Sequence, residues 1–237
     1  MDLKEIDILG DDIDKHWYYK SKARVIIRLI EGVSTKRILD VGAGSGFFSR
    51  HLLSSTSTNE SWCVDTSYKT DFDENQAFKI IHYRRSVREV NADIVLFMDV
   101  LEHVDNDVEL LKEYVDKVPS GCQFLISVPA FQFLWSEHDI FLDHKRRYTL
   151  NQLETTVRES GLNVKRGCYY FGGIFPIAAL LRLTQAVGRR NAVARSQLSK
   201  HTPIVNGILK LICYAELPMM RLNRIAGLTA FCLAEKQ

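Results

Sequence analysis

At 237 residues the chain has the length of one domain, with enough residues for a sizeable core and an appendage. Its apolar content of 46%, charged content of 25% and net charge of +2 are those of an ordinary globular protein and favour no polyanionic partner. Five scattered cysteines without a C-x-x-C pair, a start (Met1-Asp-Leu-Lys-Glu) without an apolar core, and no run of roughly 18 uninterrupted apolar residues exclude a disulfide framework, a cysteine zinc site, a signal peptide and a membrane span, so a cytoplasmic location is expected.

Residues 1–15 are acidic. A helical pattern then runs from His16 to about Ile30, with Val25, Ile26, Leu29 and Ile30 on one side and Gly32 and Ser34 closing it. Ile38-Leu39-Asp40-Val41 reads as a strand ending in an acid, followed by the turn Gly42-Ala43-Gly44-Ser45-Gly46 and a helix over about 47–54. Glycines allow positive φ and let a ligand approach where a Cβ would collide, and the helix that follows presents unpaired N–H groups. In open α/β sheets ligands bind beyond the carboxyl ends of the strands, so the ligand is expected here. Ser61-Trp62-Cys63-Val64-Asp65 reads as a second strand whose terminal carboxylate can accept both hydroxyls of a ribose. Residues 66–77 are polar and favour no element, and Phe78–Tyr83 is a third strand. Asn91–Met98 is the clearest strand, near-continuously apolar as burial on both faces of a parallel sheet requires.

A helix over about 106–118 places Val108, Leu111, Val115 and Val118 on one face, and Pro119-Ser-Gly121 stops it. Gln123–Val128 is a fifth strand. Thr149 with Gln152 forms a capping box for a helix ending near Ser160, with Gly161 as its natural terminator. Strands at 163–170 and 228–234 follow, separated by a long insertion at about 172–225. Alternating strands and helices imply an α/β fold with a mainly parallel sheet.

The pattern Asp40-x-Gly42-x-Gly44-x-Gly46 resembles the first motif of class I S-adenosylmethionine (SAM)-dependent methyltransferases. Met98-Asp99-Val100-Leu101-Glu102-His103-Val104 resembles the D-V-L-E-H-V motif of the methyltransferases of types 11 and 12, which include ubiquinone-biosynthesis O-methyltransferases. Agreement continues through Val128–Asp139, His144–Tyr148 and the Trp17–Lys22 stretch. The resemblance implies a Rossmann-like sheet of seven strands with an antiparallel last strand, helices on both faces, and a helical insertion between strands six and seven. It also implies a single methyltransferase domain over 1–237, with an N-terminal lid helix at about 10–31. The cofactor it implies is SAM, held by Asp40, Gly42, Gly44, Gly46 and Asp65. Asp99 would meet the cofactor's amino group and Lys22 its carboxylate, with His103 nearby; a solvated surface lysine is the ordinary alternative for Lys22. Many relatives carry an acid after the third strand for the adenine amine. Here Tyr83-Arg84-Arg85-Ser86-Val87 has none, and Ser86 or a backbone carbonyl takes its place.

Transfer from a sulfonium needs proximity and orientation, and a hydroxyl acceptor also gains from a base. Candidates are His138 and His144 in the loop after the fifth strand, beside Asp139, Arg146, Arg147 and Tyr148; the alternative is that both histidines only fix the loop. No metal is expected, since no H-E-x-x-H or comparable ligand spacing occurs.

From Gly161 to Ala215 there is no acid but eight bases, Lys165, Arg166, Arg182, Arg189, Arg190, Arg195, Lys200 and Lys210, interleaved with the apolar runs Ile174–Leu181 and Ile204–Tyr214. Such runs suit helices at a membrane interface or over an apolar pocket, so residues 172–218 are expected to meet an anionic bilayer, the acceptor, or a second subunit in a homodimer. Nucleic acid is disfavoured, because the bases come with aliphatic neighbours and not with stacking aromatics. The leading expectation is methyl transfer to an oxygen of a small apolar or lipid-linked acceptor, which can carry anionic groups. Methylation of nucleic acid or protein amides is disfavoured by Asp99-Val-Leu-Glu102 where N-P-P-Y would stand. A nicotinamide oxidoreductase is disfavoured by Phe47 at the third glycine of its fingerprint. A SAM-binding module without turnover is the remaining alternative.

Overall fold

The computed structural model describes residues 10–76, 78–186 and 201–237. An eight-stranded sheet forms its centre, in the order β3-β4-β2-β1-β5-β6-β8-β7. The strands are β1 (Arg37–Val41), β2 (Glu60–Val64), β3 (Phe72–Gln76), β4 (Lys79–Arg84), β5 (Ile94–Met98), β6 (Gln123–Pro129), β7 (Leu162–Tyr170) and β8 (Thr229–Lys236). β1 pairs in parallel with β2 and β5, which continue in parallel to β4 and β6 respectively. β8 lies antiparallel between β6 and β7. Every residue of β5 is buried, as its apolar run demands.

The helices are α1 (Trp17–Leu29), α2 (Phe47–Ser55), α3 (Asp107–Asp116), α4 (Glu137–Phe141), α5 (Leu150–Glu159), α6 (Phe175–Ala186) and α7 (Pro203–Glu216). One core layer joins Leu39, Val95, Phe97, Leu111, Phe124, Leu153 and Val157, bringing α3 and α5 onto one face of the sheet. The other joins Val25, Ile26, Leu29, Ile38, Leu52, Leu96, Leu125 and Phe231, bringing α1 and α2 onto the opposite face. The capping box of α5 forms as the sequence indicates: Gln152 N–H donates to the Thr149 hydroxyl at 3.3 Å, and Thr149 N–H donates to Gln152 Oε1 at 2.8 Å. Gly161 follows at φ +89°. All five cysteines are buried and unbridged.

The sheet has one strand more than seven. The polar segment expected to form no element carries β3, which pairs antiparallel with β4 at the sheet edge. Its anchor is Phe72, stacked on Tyr83 at 4.3 Å with the rings 8° apart. A cross-strand aromatic pair of this kind stabilises an edge strand whose own sequence, Phe-Asp-Glu-Asn-Gln, has no hydrophobic alternation.

The insertion between β7 and β8 contributes α6 and α7. α7 packs on α1: Trp17 N–H donates to Asn206 Oδ1 at 2.7 Å, Asn206 Nδ2 donates to the Lys15 carbonyl at 2.9 Å, and Arg24 lies over the Tyr214 ring. Outward faces stay apolar, with Ile177, Leu180, Leu181 and Leu183 of α6 and Ile204, Ile208 and Leu211 of α7 exposed. Among the described residues no helix is long and apolar enough to cross a membrane. Of the eight basic residues named above, Arg189, Arg190, Arg195 and Lys200 lie outside the described residues, as do residues 1–9.

Candidate active site

The glycine turn sits at the carboxyl end of β1, and Gly42, Gly44 and Gly46 all have positive φ, at +65°, +52° and +77°. Gly42 and Ala43 both donate to the Val64 carbonyl, which ties the turn to the end of β2. A Cβ on Gly42 would lie 2.7 Å from Val100 Cγ2, and one on Gly46 would lie 2.5 Å from the Tyr83 hydroxyl. Gly42 and Gly46 therefore have no room for a side chain, and the turn offers bare backbone at these positions.

Asp40 is buried under this turn and accepts from Ser49 Oγ at 2.8 Å, which in turn accepts from Ser61 Oγ at 2.8 Å. Its role in the geometry is to tie β1, α2 and β2 together beneath the turn. Asp65, at the end of β2, accepts from Gly44 N–H at 3.0 Å and from Ser67 N–H and Oγ at 2.9 and 2.6 Å. Burial opposes its ionisation, but these hydrogen bonds outweigh burial and hold its carboxyl below the usual range. A carboxylate kept ionised beside a bare backbone turn is the arrangement a ribose diol requires, so the residues present fit SAM at this turn. Ser86 is exposed in the segment after β4. The adjacent Arg85 N–H donates to Asp71 at 2.9 Å, so an acid does reach this neighbourhood, from the loop before β3.

Lys22 and Asp99 meet at the end of β5. Lys22 is wholly buried and ion-paired to Asp99 Oδ2, which corrects the ordinary expectation of a solvated surface lysine. The ring centres of Tyr18 and Phe48 lie 5.6 and 5.7 Å from its ammonium, and a buried ammonium is tolerable only with an ionic partner such as Asp99. Asp99 also accepts from the Tyr18 hydroxyl at 3.1 Å and from Ser127 Oγ at 3.0 Å. Burial works against its charge, yet Lys22 prevails and the carboxyl is lowered. An ammonium has three donors, so Lys22 can serve Asp99 and a second anion together.

Beyond Asp99 opens a cavity of about 280 Å³, bounded by Trp17, Tyr18, Leu134, Leu142, Ile174 and Ala178 on its apolar side and by Glu102, His138, His144, Arg147 and Arg182 on its polar side. α6 thus roofs the carboxyl ends of β5 and β6. Both sequence-derived histidines line it. His144 Nδ1 lies 3.0 Å from Asp139 Oδ1, and Arg147 clamps the same carboxylate through Nε at 2.7 Å and Nη2 at 2.9 Å. The backbone N–H of Ser136 completes its shell. Burial opposes the charge on Asp139, but His144 and Arg147 overcome it and depress the carboxyl strongly. An anionic Asp139 selects the tautomer of His144 with hydrogen on Nδ1, leaving the lone pair on Nε2.

His103 and His144 meet edge to face, 4.8 Å between ring centres. Burial, and then His144, bring the His103 imidazole down to about 4. Glu102 is fully buried with neither carboxylate oxygen hydrogen-bonded among the described residues. Burial, and then the Asp99 charge, raise its carboxyl well above the usual range. Of the polar cavity residues, Glu102 is the one to which sequence reasoning gave no role beyond its motif, while Arg147 entered only as a neighbour of the histidines and Arg182 only as one of the insertion's bases. Glu102 stood inside the D-V-L-E-H motif and Arg147 beside His144, but their burial and partners arise only when the β5 and β6 ends meet.

A family model described as a methyltransferase domain matches residues 15–166. No curated protein sequence is significantly similar to the chain. Among solved structures, the fold is similar to a SAM-dependent methyltransferase from Archaeoglobus fulgidus, at 16% identity and a TM-score of 0.56 over 99% of this chain and 98% of that one. It is also similar to the [4+2]-cyclase SpnF, at 13% identity and TM-score 0.56 over 92% and 82% of the two chains. A third likeness is to Haemonchus contortus phosphoethanolamine N-methyltransferase 2 in complex with SAM, at 16% identity and TM-score 0.53 over 90% of this chain and 52% of that one. At such identities the likeness is one of fold, and one fold can carry several reactions.

Proposed function

The chain belongs to the methyltransferase-domain family and is a SAM-dependent enzyme of the class I fold; from that membership we propose that it transfers the methyl group to an oxygen of a small, largely apolar acceptor bound in the cavity under α6. SAM supplies a methyl group on a sulfonium that an in-line nucleophile displaces. The glycine turn and Asp65 hold the nucleoside part, with Ser86 beside the base. Lys22 and Asp99 face the amino-acid end, and His103 stands one turn beyond them. The cavity begins at Asp99, so an acceptor lying in it has its reactive end next to the cofactor's methyl-bearing part. The observation that carries this reading is His144 on the wall of that cavity, paired to Asp139 behind it. With Nδ1–H given to Asp139, His144 presents Nε2 to the acceptor's hydroxyl and favours its oxyanion, while Arg147 keeps Asp139 in place. His138 lines the same wall and helps to position the acceptor.

An apolar or lipid-linked acceptor is supported by the aliphatic and aromatic walls of the cavity and by the exposed apolar faces of α6 and α7. Those faces, in a stretch without a single acid between Gly161 and Ala215, suit peripheral contact with an anionic membrane surface from which such an acceptor would be drawn. Anionic acceptor groups would meet Arg147 and Arg182.

The test separates the two half-sites. Asp65→Asn removes charge-assisted hydrogen bonds of about 1.5–3 kcal/mol each and is expected to weaken SAM binding in isothermal titration. His144→Ala is expected to leave SAM affinity unchanged and to lower methyl transfer by about 10²–10⁴-fold, measured with labelled SAM and fractionated small-molecule extracts. SAM binding without transfer to any fraction would favour a non-catalytic SAM-binding module.

A further inference from the structure

We propose that Glu102, His103 and His144 form a binding site for a divalent transition-metal ion, against the expectation from sequence spacing that no metal site exists. The proposal rests on the reading of the cavity as the acceptor site, and it specifies how His144 acts there.

Glu102 and His103 are neighbours on a single 3₁₀ turn (Leu101–His103) after β5, and His144 comes from the loop after α4. Lys145 N–H donates to the Glu102 carbonyl at 2.7 Å and fastens the two segments side by side. One ligand atom from each of the three residues then lies within 4.8 Å of the other two. An ion with tetrahedral ligand bonds of roughly 2.1 Å holds its ligands about 3.4 Å apart, so the set closes on an ion by a contraction of no more than about 1.4 Å between any two ligand atoms. No ligand spacing within one element could reveal this, because the third ligand is brought in by a backbone hydrogen bond between loops.

A second, independent observation points the same way. The Glu102 side chain is completely buried, both of its oxygens lack a hydrogen-bond partner among the described residues, and so does the buried Nε2 of His103. The neighbouring cations are already engaged, Lys22 with Asp99 and Arg147 with Asp139. The Glu102 carboxyl group is left in the interior with neither ion pair nor hydrogen bond among the described residues, an arrangement that is costly unless a cation or a proton answers it.

The surroundings of His144 have the form of an outer coordination shell. A metal-bound histidine ordinarily gives its other ring N–H to a carboxylate, which fixes its orientation and raises its basicity. Asp139 does this at Nδ1, and is itself held by Arg147 and Ser136. Two imidazoles and one carboxylate suit zinc, ferrous or manganous ions more than magnesium or calcium, which prefer oxygen alone. Glu102 and His144 border the cavity, so the open coordination positions face it and can take the acceptor's hydroxyl oxygen. In this arrangement His144 favours the acceptor's oxyanion through the ion it holds.

The experiment is isothermal titration of the chelator-treated full chain with zinc and manganese ions, with magnesium for comparison. SAM titrations run alongside on wild type, Glu102→Gln, His144→Ala and Asp139→Asn. We expect one zinc or manganese ion per chain. Binding should weaken by more than about 100-fold in Glu102→Gln and His144→Ala and by about 10–100-fold in Asp139→Asn, with SAM affinity unchanged in all three. Glu102→Gln preserves side-chain volume, and its SAM titration reports that the fold is intact. The proposal is overturned by wild type that binds neither ion, or by ion binding that survives both ligand substitutions. Transfer at full rate after exhaustive chelation would also sink it while leaving the acceptor reading standing. Failure of wild type to bind SAM would instead remove the acceptor reading itself.

Discussion

Replacing Gly46 by alanine tests whether the glycine turn is held by what lies beneath it. Two separate costs are readable in the structure. The first is conformational: at φ +77° an L-residue pays about 1–2 kcal/mol relative to glycine. The second is steric, since the new Cβ would stand 2.5 Å from Tyr83 Oη and 2.9 Å from its Cε1. Tyr83 has nowhere to go. It is 2% exposed and stacked on Phe72, and its hydroxyl accepts from Arg50 at 2.7 Å and donates to Glu74 at 2.9 Å. Overfilling a site of this kind adds about 1–3 kcal/mol, so the total is about 2–5 kcal/mol. Gly121 is the control, with nearly the same φ of +83° and no atom within 4 Å of the point where a Cβ would stand, so that Gly121→Ala should cost only the first part. Urea unfolding of both variants at equal slope, with SAM titration of each, measures the difference. Gly46→Ala should be the less stable by about 1–3 kcal/mol and should also bind SAM more weakly. Equal losses in the two variants would show that Tyr83 does not lock the turn.

Two further outcomes follow from charges inside the fold. Lys22→Met leaves Asp99 without its counter-ion and is expected to lose about 3–5 kcal/mol in chemical unfolding, partly restored by adding Asp99→Asn; no loss would mean the pair is solvated. Glu154 is buried, and although burial opposes its charge, hydrogen bonds from Arg224 and Arg158 hold its carboxyl below the usual range. Since its folded value lies below its unfolded value of about 4.3, its stabilisation is complete above that pH and is lost as pH falls through the folded value. The gap in urea midpoint between wild type and Glu154→Gln should therefore be present near neutrality and close below about pH 4. A gap that persists unchanged in acid would refute the ion-pair account.

The parts of the fold legible in the sequence are those set by local rules. The apolar run of β5, the Thr149–Gln152 cap and the terminator Gly161 each declare themselves over a few residues, and the structure has them where the pattern put them. β3 escaped because its stability comes from Phe72 reaching Tyr83 on the next strand, a contact that hydrophobic periodicity does not encode. Lys22 reads as a surface residue because lysine usually is one; its burial goes with Asp99, distant in sequence, and with the Tyr18 and Phe48 rings beside its ammonium. His138 and His144 stood out as histidines beyond the fifth strand, and both border the cavity. What the sequence could not display was Glu102 turned inward beside them, since neighbouring residues of one motif differ in burial only once a second loop closes over them.

The position of β8 bears on how the chain is made. β6 must accept β8 along one edge, and among the described residues β7 has no other strand beside it than β8. As the polypeptide leaves the ribosome, β6 and β7 are complete while their common partner is still being synthesised behind α6 and α7. Both present open hydrogen-bonding edges during that interval, and α6 and α7 emerge with apolar faces before the sheet beneath them is closed. Docking of β8 then zips both edges at once, and Lys236 reaches the Val115 and Val118 carbonyls at the end of α3, both at 2.7 Å. The interval is when a nascent chain of this design is most exposed to wrong pairing, and chaperone engagement would be concentrated there.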